Sequence, residues 1–310
     1  MTAQTAFPRA QAGAACGASS PAPSVSTRIR AYIILVRPSS CLIGCLATGI
    51  GAYLATGRPF SEPVRCILAV TGIALAIAFA NVINDVADLA TDAVEKPRRP
   101  IPAGHVSRRA ARRFAVALAA GAVLVTGPLG LPLAGGTAAL VGTAYAYSAR
   151  LKDTVLLGNA VVALCSGSSF VYGAATVSAT SPGRTWATAG AAAAAATVFM
   201  FGYEVLKTAA DRAGDAAASL RTVATVTGPR TVRRVFLATV VTQTVIVLTA
   251  TAVSWHPARY LAVVPTLLVP TWYVALRLPM AADSPGGMRR LVVVMRSVWL
   301  LGPGLLWTLR

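Results

Sequence analysis

The acidic side chains of this sequence are few and concentrated in two places. Six of its ten Asp and Glu residues fall in two clusters, each next to a strongly apolar segment. The clusters are Asp85, Asp88 and Asp92, and Glu204, Asp211 and Asp215. Carboxylates beside the hydrocarbon of a membrane are costly, so they mark functional sites by default. Two such clusters facing each other would supply the oxygen ligands of Mg²⁺, an ion that commonly binds together with substrate phosphates.

The first cluster has the spacing of one helical face. Asp85, Asp88 and Asp92 are separated by three and four residues, so on a helix their side chains would lie on the same side. Asn84 stands beside them as a neutral polar group, and residues 73–80 are wholly apolar. Three carboxylates this close repel one another unless a divalent cation neutralises them. The pattern predicts a metal site at the end of the second apolar segment.

The second cluster has a comparable spacing and includes a lysine. Glu204, Lys207, Asp211 and Asp215 are three, four and four residues apart, which again indicates one helical face. We interpret Asp211 and Asp215 as metal ligands. Two interpretations are open for Lys207, which either forms salt bridges with its helix neighbours or contacts a diphosphate.

A basic loop follows the first cluster directly. Residues 96–104 contain Arg98 and Arg99 between prolines that stiffen the chain. Arginine binds phosphate oxygens through paired donors, so arginines near Mg²⁺ suit a diphosphate. The alternative is that these arginines only set the membrane topology. Lys152, which follows Tyr147 at the end of the fourth apolar segment, also has a functional and a topological interpretation.

The composition is that of an all-α polytopic membrane protein. The chain of 310 residues is 55% hydrophobic and only 12% charged, with a mean hydropathy of +0.65, whereas soluble domains carry about 25% charged residues. The net charge is +18. With aromatic residues at only 7% and the basic residues unevenly spread, we exclude a nucleic-acid partner.

Nine apolar stretches approach the length of about 20 residues that a helix needs to cross a bilayer. They are 31–56, 66–90, 114–131, 133–149, 155–178, 185–206, 235–254, 259–276 and 291–308. Lys and Arg concentrate in alternate connections. The positive-inside rule therefore places the N-terminus and both acidic clusters in the cytoplasm and the C-terminus outside.

The first residues have a different composition. Residues 1–27 are rich in Ala, Ser, Thr and Pro and contain no acid. They lack the apolar run of a secretory signal. We predict a disordered cytosolic tail over 1–27 and one membrane domain over 28–310.

The chain resembles the UbiA superfamily of intramembrane prenyltransferases. The family motif NDxxDxxxD is present at residues 84–92, and the DxxxD motif at residues 211–215. The stretch 99–104, Arg-Pro-Ile-Pro-Ala-Gly, is similar to the family's RPxPSG. The run 204–215 is most like the branch that includes digeranylgeranylglyceryl-phosphate synthases. The similarity covers about residues 28–308.

The resemblance implies nine transmembrane helices around a central cavity with a cytosolic mouth, in the cell membrane. It implies Mg²⁺-dependent transfer of a prenyl group, within the bilayer, from an isoprenoid diphosphate to a lipophilic aromatic or hydroxyl acceptor. The implied metal ligands are Asp85, Asp88, Asp92, Asp211 and Asp215. The implied substrate-binding residues are Asn84, Arg99, Tyr147, Lys152 and Lys207. Either Asp92 or Glu204 would accept the released proton.

Three residues depart from the pattern of that branch. Tyr203 and Thr208 stand where an Arg and an Asp are usual, and Ser40 stands where an Asn is common. The first two changes remove a cation and a carboxylate near the acceptor side, which weakens the case for a glycerol-phosphate acceptor. The alternative activity is an intramembrane terpene cyclase, which uses the same Asp motifs. Transport is disfavoured because the acids cluster at one membrane face.

Overall fold

The structure is a computed structural model, which describes residues 24–59, 61–178, 182–217, 219–281 and 286–310. Within these ranges every regular element is a helix. The α-helices are α1 Val25–Val36, α2 Pro38–Thr56, α3 Pro63–Ala87, α4 Leu89–Glu95, α5 Arg108–Thr126, α6 Leu131–Ala149, α7 Leu157–Thr176, α8 Pro182–Ala210, α9 Arg212–Ala217, α10 Val223–Val226, α11 Pro229–Thr249, α12 Pro257–Ala281 and α13 Gly287–Trp307. Three short 3₁₀ turns, Gly127–Leu129, Leu151–Asp153 and Ala250–Val253, complete the regular structure.

The predicted all-α membrane architecture is confirmed. Among the described residues, each of the nine predicted apolar stretches contains one long helix, namely α2, α3, α5, α6, α7, α8, α11, α12 and α13. Eight of these are long and apolar enough to cross a membrane. The helix outside that group is α6, which has 19 residues but includes several glycines and two tyrosines. The protein is an integral membrane protein.

The helices depart from the predicted segments in three places. The first apolar stretch is divided at Arg37 into α1 and α2. The first acidic cluster is divided at Asp88, between α3 and α4. The second is divided at Asp211, between α8 and α9. Helix α1 also begins at Val25, inside the predicted tail of residues 1–27, and residues 1–23 of that tail lie outside the described ranges.

Two groups of helices form separate cores. One core joins α1, α3 and α5 through buried residues such as Leu35, Phe79 and Ala115. The other joins α2 to α8, α11, α12 and α13. Helix α7 packs against α2 without side chains between them, because an added Cβ at Gly51 would lie 2.0 Å from the carbonyl oxygen of Phe170 and one at Gly173 would lie 1.9 Å from that of Thr48.

Candidate functional site

A large cavity opens between the two groups of helices. Its volume is about 700 Å³, and its walls come from α2, α3, α6, α7, α8 and α13. The apolar part of the wall includes Ile73 and Met200. The charged and amide side chains of the wall are Arg37, Asn81, Asn84, Glu204, Lys207 and Arg296. Most of them lie where α2 begins and α3 and α8 end, so one end of the cavity is polar. Two of its side chains, Arg37 and Asn84, contact aspartates of the first Asp motif.

Asp85 and Asp92 of the first motif share one guanidinium nitrogen. Nη1 of Arg99 lies 3.2 Å from Oδ1 of Asp85 and 2.5 Å from Oδ2 of Asp92. The two carboxylates are only 4% and 2% exposed as residues. Although the helix breaks at Asp88, the amide of Asp92 still donates to the carbonyl of Asp88 at 2.8 Å, so the helical spacing that brings Asp85 and Asp92 together is retained. The predicted shared face is real for these two residues.

Asp88 takes a separate set of contacts. One of its oxygens pairs with the ammonium of Lys152, and the other accepts a 2.9 Å hydrogen bond from Nδ2 of Asn84. Asn84 lines the cavity, so Asp88 and Lys152 connect to the cavity through it. Lys152, which sequence analysis left between a functional and a topological role, is thus brought to the first Asp motif.

The loop that carries Arg99 is fixed by its apolar residues. Ile101 and Val106 are 6% and 3% exposed and belong to the core of α1, α3 and α5. The amides of His105 and Val106 both donate to the carbonyl of Pro100, at 3.0 and 3.2 Å. The chain turns at Gly104, with φ of +74°, a value that glycine adopts at little cost.

Arg37 is a further cation of the first motif. Its guanidinium pairs with Asp85, and Nη1 lies 3.5 Å from the Oδ1 of Asn81. Its φ of +52° lies in the left-handed region, which is uncommon for a residue other than glycine and concentrates at functional sites. In the sequence, Arg37 is a weaker candidate site residue, as part of the Arg37-Pro38 pair in the first apolar stretch.

The second motif is arranged differently. Glu204 and Lys207 both line the cavity, and Nζ of Lys207 lies 2.8 and 3.1 Å from the two carboxylate oxygens of Glu204. Lys207 therefore forms the salt bridge with a helix neighbour that one of its two interpretations predicted. Asp211 is exposed and Asp215 half-buried, and neither lines the cavity.

The carboxylates make ion pairs with cations of the chain, and no group of three or more His, Cys, Asp or Glu within the described ranges has a metal-ligating arrangement. The residues nevertheless fit a divalent cation. Two nearly buried carboxylates converge on one positively charged nitrogen of Arg99, which marks a position where positive charge is stabilised. Carboxylate and amide oxygens are the ligands that Mg²⁺ prefers. Asp85, Asp88 and Asp92 are the residues that would hold it, and Asp211 and Asp215, at the break after α8 and on α9, would be further ligands.

The cavity continues into an apolar extension. A smaller space of about 60 Å³ is lined mostly by apolar side chains such as Phe199, and the residues that it shares with the main cavity are Ile43, Ala47, Ser166, Met200 and Trp299. Gln243 also lines it, is 2% exposed, and its Nε2 has no hydrogen-bond partner among the described residues. The extension forms a narrow apolar end of the main cavity.

An aromatic wall and one arginine of the cavity lay outside the predicted site. Tyr203 stacks between Phe199 and Trp299, with ring centroids 6.4 Å apart in each pair. Arg296 lines the same cavity from α13. The sequence signal for Arg296 is a charged residue inside an apolar segment, which is a functional hypothesis in any membrane span.

The comparisons with known proteins agree on the family. The model of the UbiA prenyltransferase family matches residues 44–286. The digeranylgeranylglyceryl phosphate synthase of Methanopyrus kandleri is 37% identical over 204 residues, which cover 63% of this chain and 69% of that protein. The enzyme of the same name from Halobacterium salinarum is 39% identical over 200 residues, covering 64% and 70%.

Solved structures share the fold. A UbiA homologue from Archaeoglobus fulgidus, bound to GPP and Mg²⁺, superposes with a TM-score of 0.67 at 16% identity, covering 89% of this chain and 99% of that one. The same homologue bound to DMAPP and Mg²⁺ gives a TM-score of 0.68 at 17% identity, covering 89% and 98%. A structure described in work on digeranylgeranylglyceryl phosphate synthase gives 0.67 at 18% identity, covering 91% and 97%.

Proposed function

This chain belongs to the UbiA prenyltransferase family, and we propose that it transfers a prenyl group from an isoprenoid diphosphate to a lipophilic acceptor in a Mg²⁺-dependent reaction. The observation that carries the proposal is the group of three carboxylates and three cations next to the polar end of a cavity of about 700 Å³, whose remaining wall is largely apolar. An isoprenoid diphosphate has the same division, with a charged head and an apolar chain.

The cations beside the Asp motif would bind the diphosphate. Arg37 pairs with Asp85, Lys152 pairs with Asp88, and Arg99 pairs with both Asp85 and Asp92. A metal ion taking their places would release these side chains for phosphate oxygens, which arginine binds through charge-assisted hydrogen bonds. The polar cavity residues Asn84 and Tyr147 stand at the same end, and we assign them to substrate binding as well.

The reaction breaks the bond between the diphosphate oxygen and the allylic carbon of the donor. Bound Mg²⁺ supplies positive charge that stabilises the departing diphosphate. The apolar walls of the cavity keep water away from the resulting allylic cation. A hydroxyl oxygen or aromatic carbon of the acceptor then forms the new bond and loses a proton.

Glu204 is better placed than Asp92 to accept that proton. Glu204 lines the cavity, whereas Asp92 does not line it and is held by Arg99 and, at 3.9 Å, by Lys96. We therefore assign the proton acceptor to Glu204 and a metal-binding role to Asp92. The membrane orientation that we propose has the polar end of the cavity and the N-terminus in the cytoplasm and the C-terminus outside, in the cell membrane, with residues 28–310 as the prenyltransferase domain.

The test is diphosphate release by the purified protein in detergent with Mg²⁺, labelled geranylgeranyl diphosphate and a panel of aromatic and hydroxyl acceptors. We expect release that requires Mg²⁺ and is abolished by Asp88→Ala. Asp153→Ala is the matched control. Asp153 lies next to Lys152 in the chain but outside the Asp motifs, and it accepts a hydrogen bond from the amide of Arg221, at 2.9 Å.

The products separate the remaining activities. A prenylated acceptor supports transfer, whereas a cyclic hydrocarbon formed without an acceptor would identify a terpene cyclase. If the wild-type protein released no diphosphate from any donor, or if Asp88→Ala behaved like Asp153→Ala, the assignment of the first Asp motif would be wrong.

A further inference from the structure

Helix α1 carries an apolar stripe that no described part of the chain covers. Val25, Ile29 and Ile33 are four residues apart, so their side chains lie on one face of the helix, and they are 75%, 57% and 51% exposed. A different face, with Ala31 and Leu35, is buried against α3 and α5. Helix α1 has 12 residues, about 18 Å at 1.5 Å per residue, and is too short to cross a bilayer.

Exposed arginines border this stripe. At 100° per residue, Arg28 and Arg30 flank it on its two sides, and the start of α5 is joined to α1 by the edge-to-face pair of Tyr32 and Phe114, with ring centroids 4.9 Å apart. The exposed arginines of the two helices are Arg28, Arg30, Arg108, Arg109, Arg112 and Arg113. None of them forms an ion pair with a described residue, and residues 24–61 and 96–152 contain no Asp or Glu. We call the stripe and these six arginines the α1–α5 face.

Membrane topology explains the positive charge of this face but not its arrangement. The positive-inside rule concerns the number of Lys and Arg residues in a connection, and it does not require an exposed apolar stripe between them. A short helix with an apolar face bordered by arginines is typical of helices that lie among the head groups of anionic lipids. A soluble anion would leave the stripe uncovered. A second copy of the chain, paired through the same face, would bring like charges together.

The α1–α5 face is connected to the first Asp motif at two points. Arg37, which pairs with Asp85, follows α1 directly. Arg99, which pairs with the same aspartate, lies in the loop that leads into α5. That loop is held by Ile101 and Val106 in the core that α1 shares with α3 and α5. The position of α1 therefore affects two cations of the site.

We infer that the α1–α5 face binds anionic phospholipid head groups of the membrane leaflet beside the first Asp motif, and that this contact orders α1 and the two cations that depend on it. The stripe enters the border of the acyl chains, and the arginines pair with lipid phosphates. Each arginine near an anionic surface contributes a factor of about 5 in affinity. The lipid contact is independent of the proposed reaction, whereas its effect on the donor rests on that reaction.

The test compares two lipids with the same acyl chains, phosphatidylcholine, which has no net charge, and phosphatidylglycerol, which is anionic. Each is titrated into the full-length protein in neutral detergent, and the Tm gives the apparent lipid affinity. Hydrogen exchange of residues 25–36 in nanodiscs of phosphatidylcholine, with and without phosphatidylglycerol, then measures the order of α1. The KM of geranylgeranyl diphosphate is measured in the same nanodiscs.

Three double variants separate the contributions, and each changes only exposed side chains. The arginine variant is Arg28→Gln with Arg30→Gln, which removes charge beside the stripe. The stripe variant is Ile29→Gln with Ile33→Gln, which removes apolar surface and keeps the charge. The control variant has the same loss of charge at the start of α13 and consists of Arg289→Gln with Arg290→Gln.

We expect phosphatidylglycerol, and not phosphatidylcholine, to raise the Tm, slow the exchange of α1 and lower the KM of the donor. The arginine variant should bind phosphatidylglycerol up to about 25-fold more weakly, the product of two factors of about 5. The stripe variant should also bind it more weakly, and the control variant should match the wild type. Added salt should weaken the binding, because it screens the charges.

Several outcomes would overturn the inference. The same Tm and α1 exchange in both lipids would exclude the lipid contact, and an equal loss in the control variant would reduce it to net charge. Inorganic phosphate acting like phosphatidylglycerol would identify a site for a soluble anion. Protection of α1 that rose with protein concentration in neutral lipid would identify a second copy of the chain. An unchanged donor KM in an active protein would refute the link to the site. Failure of the proposed function is distinct, because lipid affinity and α1 exchange are measured without turnover.

Discussion

Arg99 offers the sharpest test of the charge arrangement, because one side chain holds two nearly buried carboxylates. The perturbation is Arg99→Gln, which removes the charge and keeps most of the length of the side chain. Its Nη1 lies 3.2 Å from Asp85 and 2.5 Å from Asp92, whose side chains are only 5% and 3% exposed. Losing one partner of a fully buried pair costs about 3–5 kcal/mol.

The loss of unfolding free energy that we expect from Arg99→Gln is smaller than this. The Arg99 side chain is 28% exposed, Asp85 keeps its pair with Arg37, and Asp92 keeps Lys96 at 3.9 Å. We therefore expect a loss of about 1–2 kcal/mol in the free energy of unfolding without metal, roughly a third of the buried value. Without the competing guanidinium, Mg²⁺ should bind the two carboxylates more tightly. The KM of the diphosphate donor should nevertheless rise by about 10-fold or more, because a phosphate contact is lost.

The assay is thermal unfolding of the detergent-solubilised protein over a series of Mg²⁺ concentrations, followed by donor kinetics. Arg98→Gln is the control, because Arg98 is the adjacent exposed arginine. Arg99→Gln should have a lower Tm without Mg²⁺, by about 2–4 °C per kcal/mol, and a larger rise in Tm on adding Mg²⁺. A variant with the same Tm and the same Mg²⁺ response as Arg98→Gln would refute the reasoning.

Three further substitutions test the packing around the cavity. Gly302→Leu, at a position with open space beside an added Cβ, should fill the apolar extension and leave kcat/KM for geranyl diphosphate unchanged. It should lower kcat/KM for geranylgeranyl diphosphate by up to about 1,000-fold, the value of burying one isoprene unit at about 0.8 kcal/mol per carbon. Gly304→Leu on the same helix is the control, and equal losses for both donors would contradict the assignment. Gly173→Ala should lower the free energy of unfolding by about 1–3 kcal/mol, because the added Cβ meets a backbone carbonyl. The control Gly190→Ala, where an added Cβ has nothing within 4 Å, should be neutral or stabilising. Identical unfolding curves for the two variants would contradict the close contact at Gly173. Gln243→Leu should raise the Tm, since it removes a buried amide nitrogen, Nε2, that has no hydrogen-bond partner among the residues that the structure describes. A lower Tm would show that this nitrogen has a partner.

The sequence was sufficient for the helices and for the first Asp motif, for a physical reason. Apolar length determines which segments cross a bilayer, and each predicted segment contains a long helix. The helical repeat was also enough to place Asp85 and Asp92 together. It was not enough for Asp88, which contacts Lys152 instead, because that contact joins residues far apart in the chain.

The parts of the site that sequence analysis missed depend on tertiary packing. The left-handed backbone of Arg37, at φ of +52°, is imposed by the junction of α1 and α2, which the apolar pattern shows as one continuous segment. Arg296 was visible as a charge in an apolar stretch, but only the helix arrangement shows that it faces the cavity. The assignment of metal ligands, substrate-binding residues and the proton acceptor stays a prediction.

The helix breaks inside the two acidic motifs have a consequence for the order of the loops that follow them. Each motif joins a long membrane helix to a short helix, α4 with seven residues and α9 with six, and helices this short do not persist alone in water. The position of α4 therefore depends on the contacts of its charged residues, chiefly the pair between Asp92 and Arg99. Any ligand that replaces these ion pairs therefore also changes the position of α4 and of the loop that follows it. Substrate affinity and the order of this loop are thus linked. A substitution that makes the loop after α4 less ordered should weaken substrate binding even where the substituted residue does not contact the substrate.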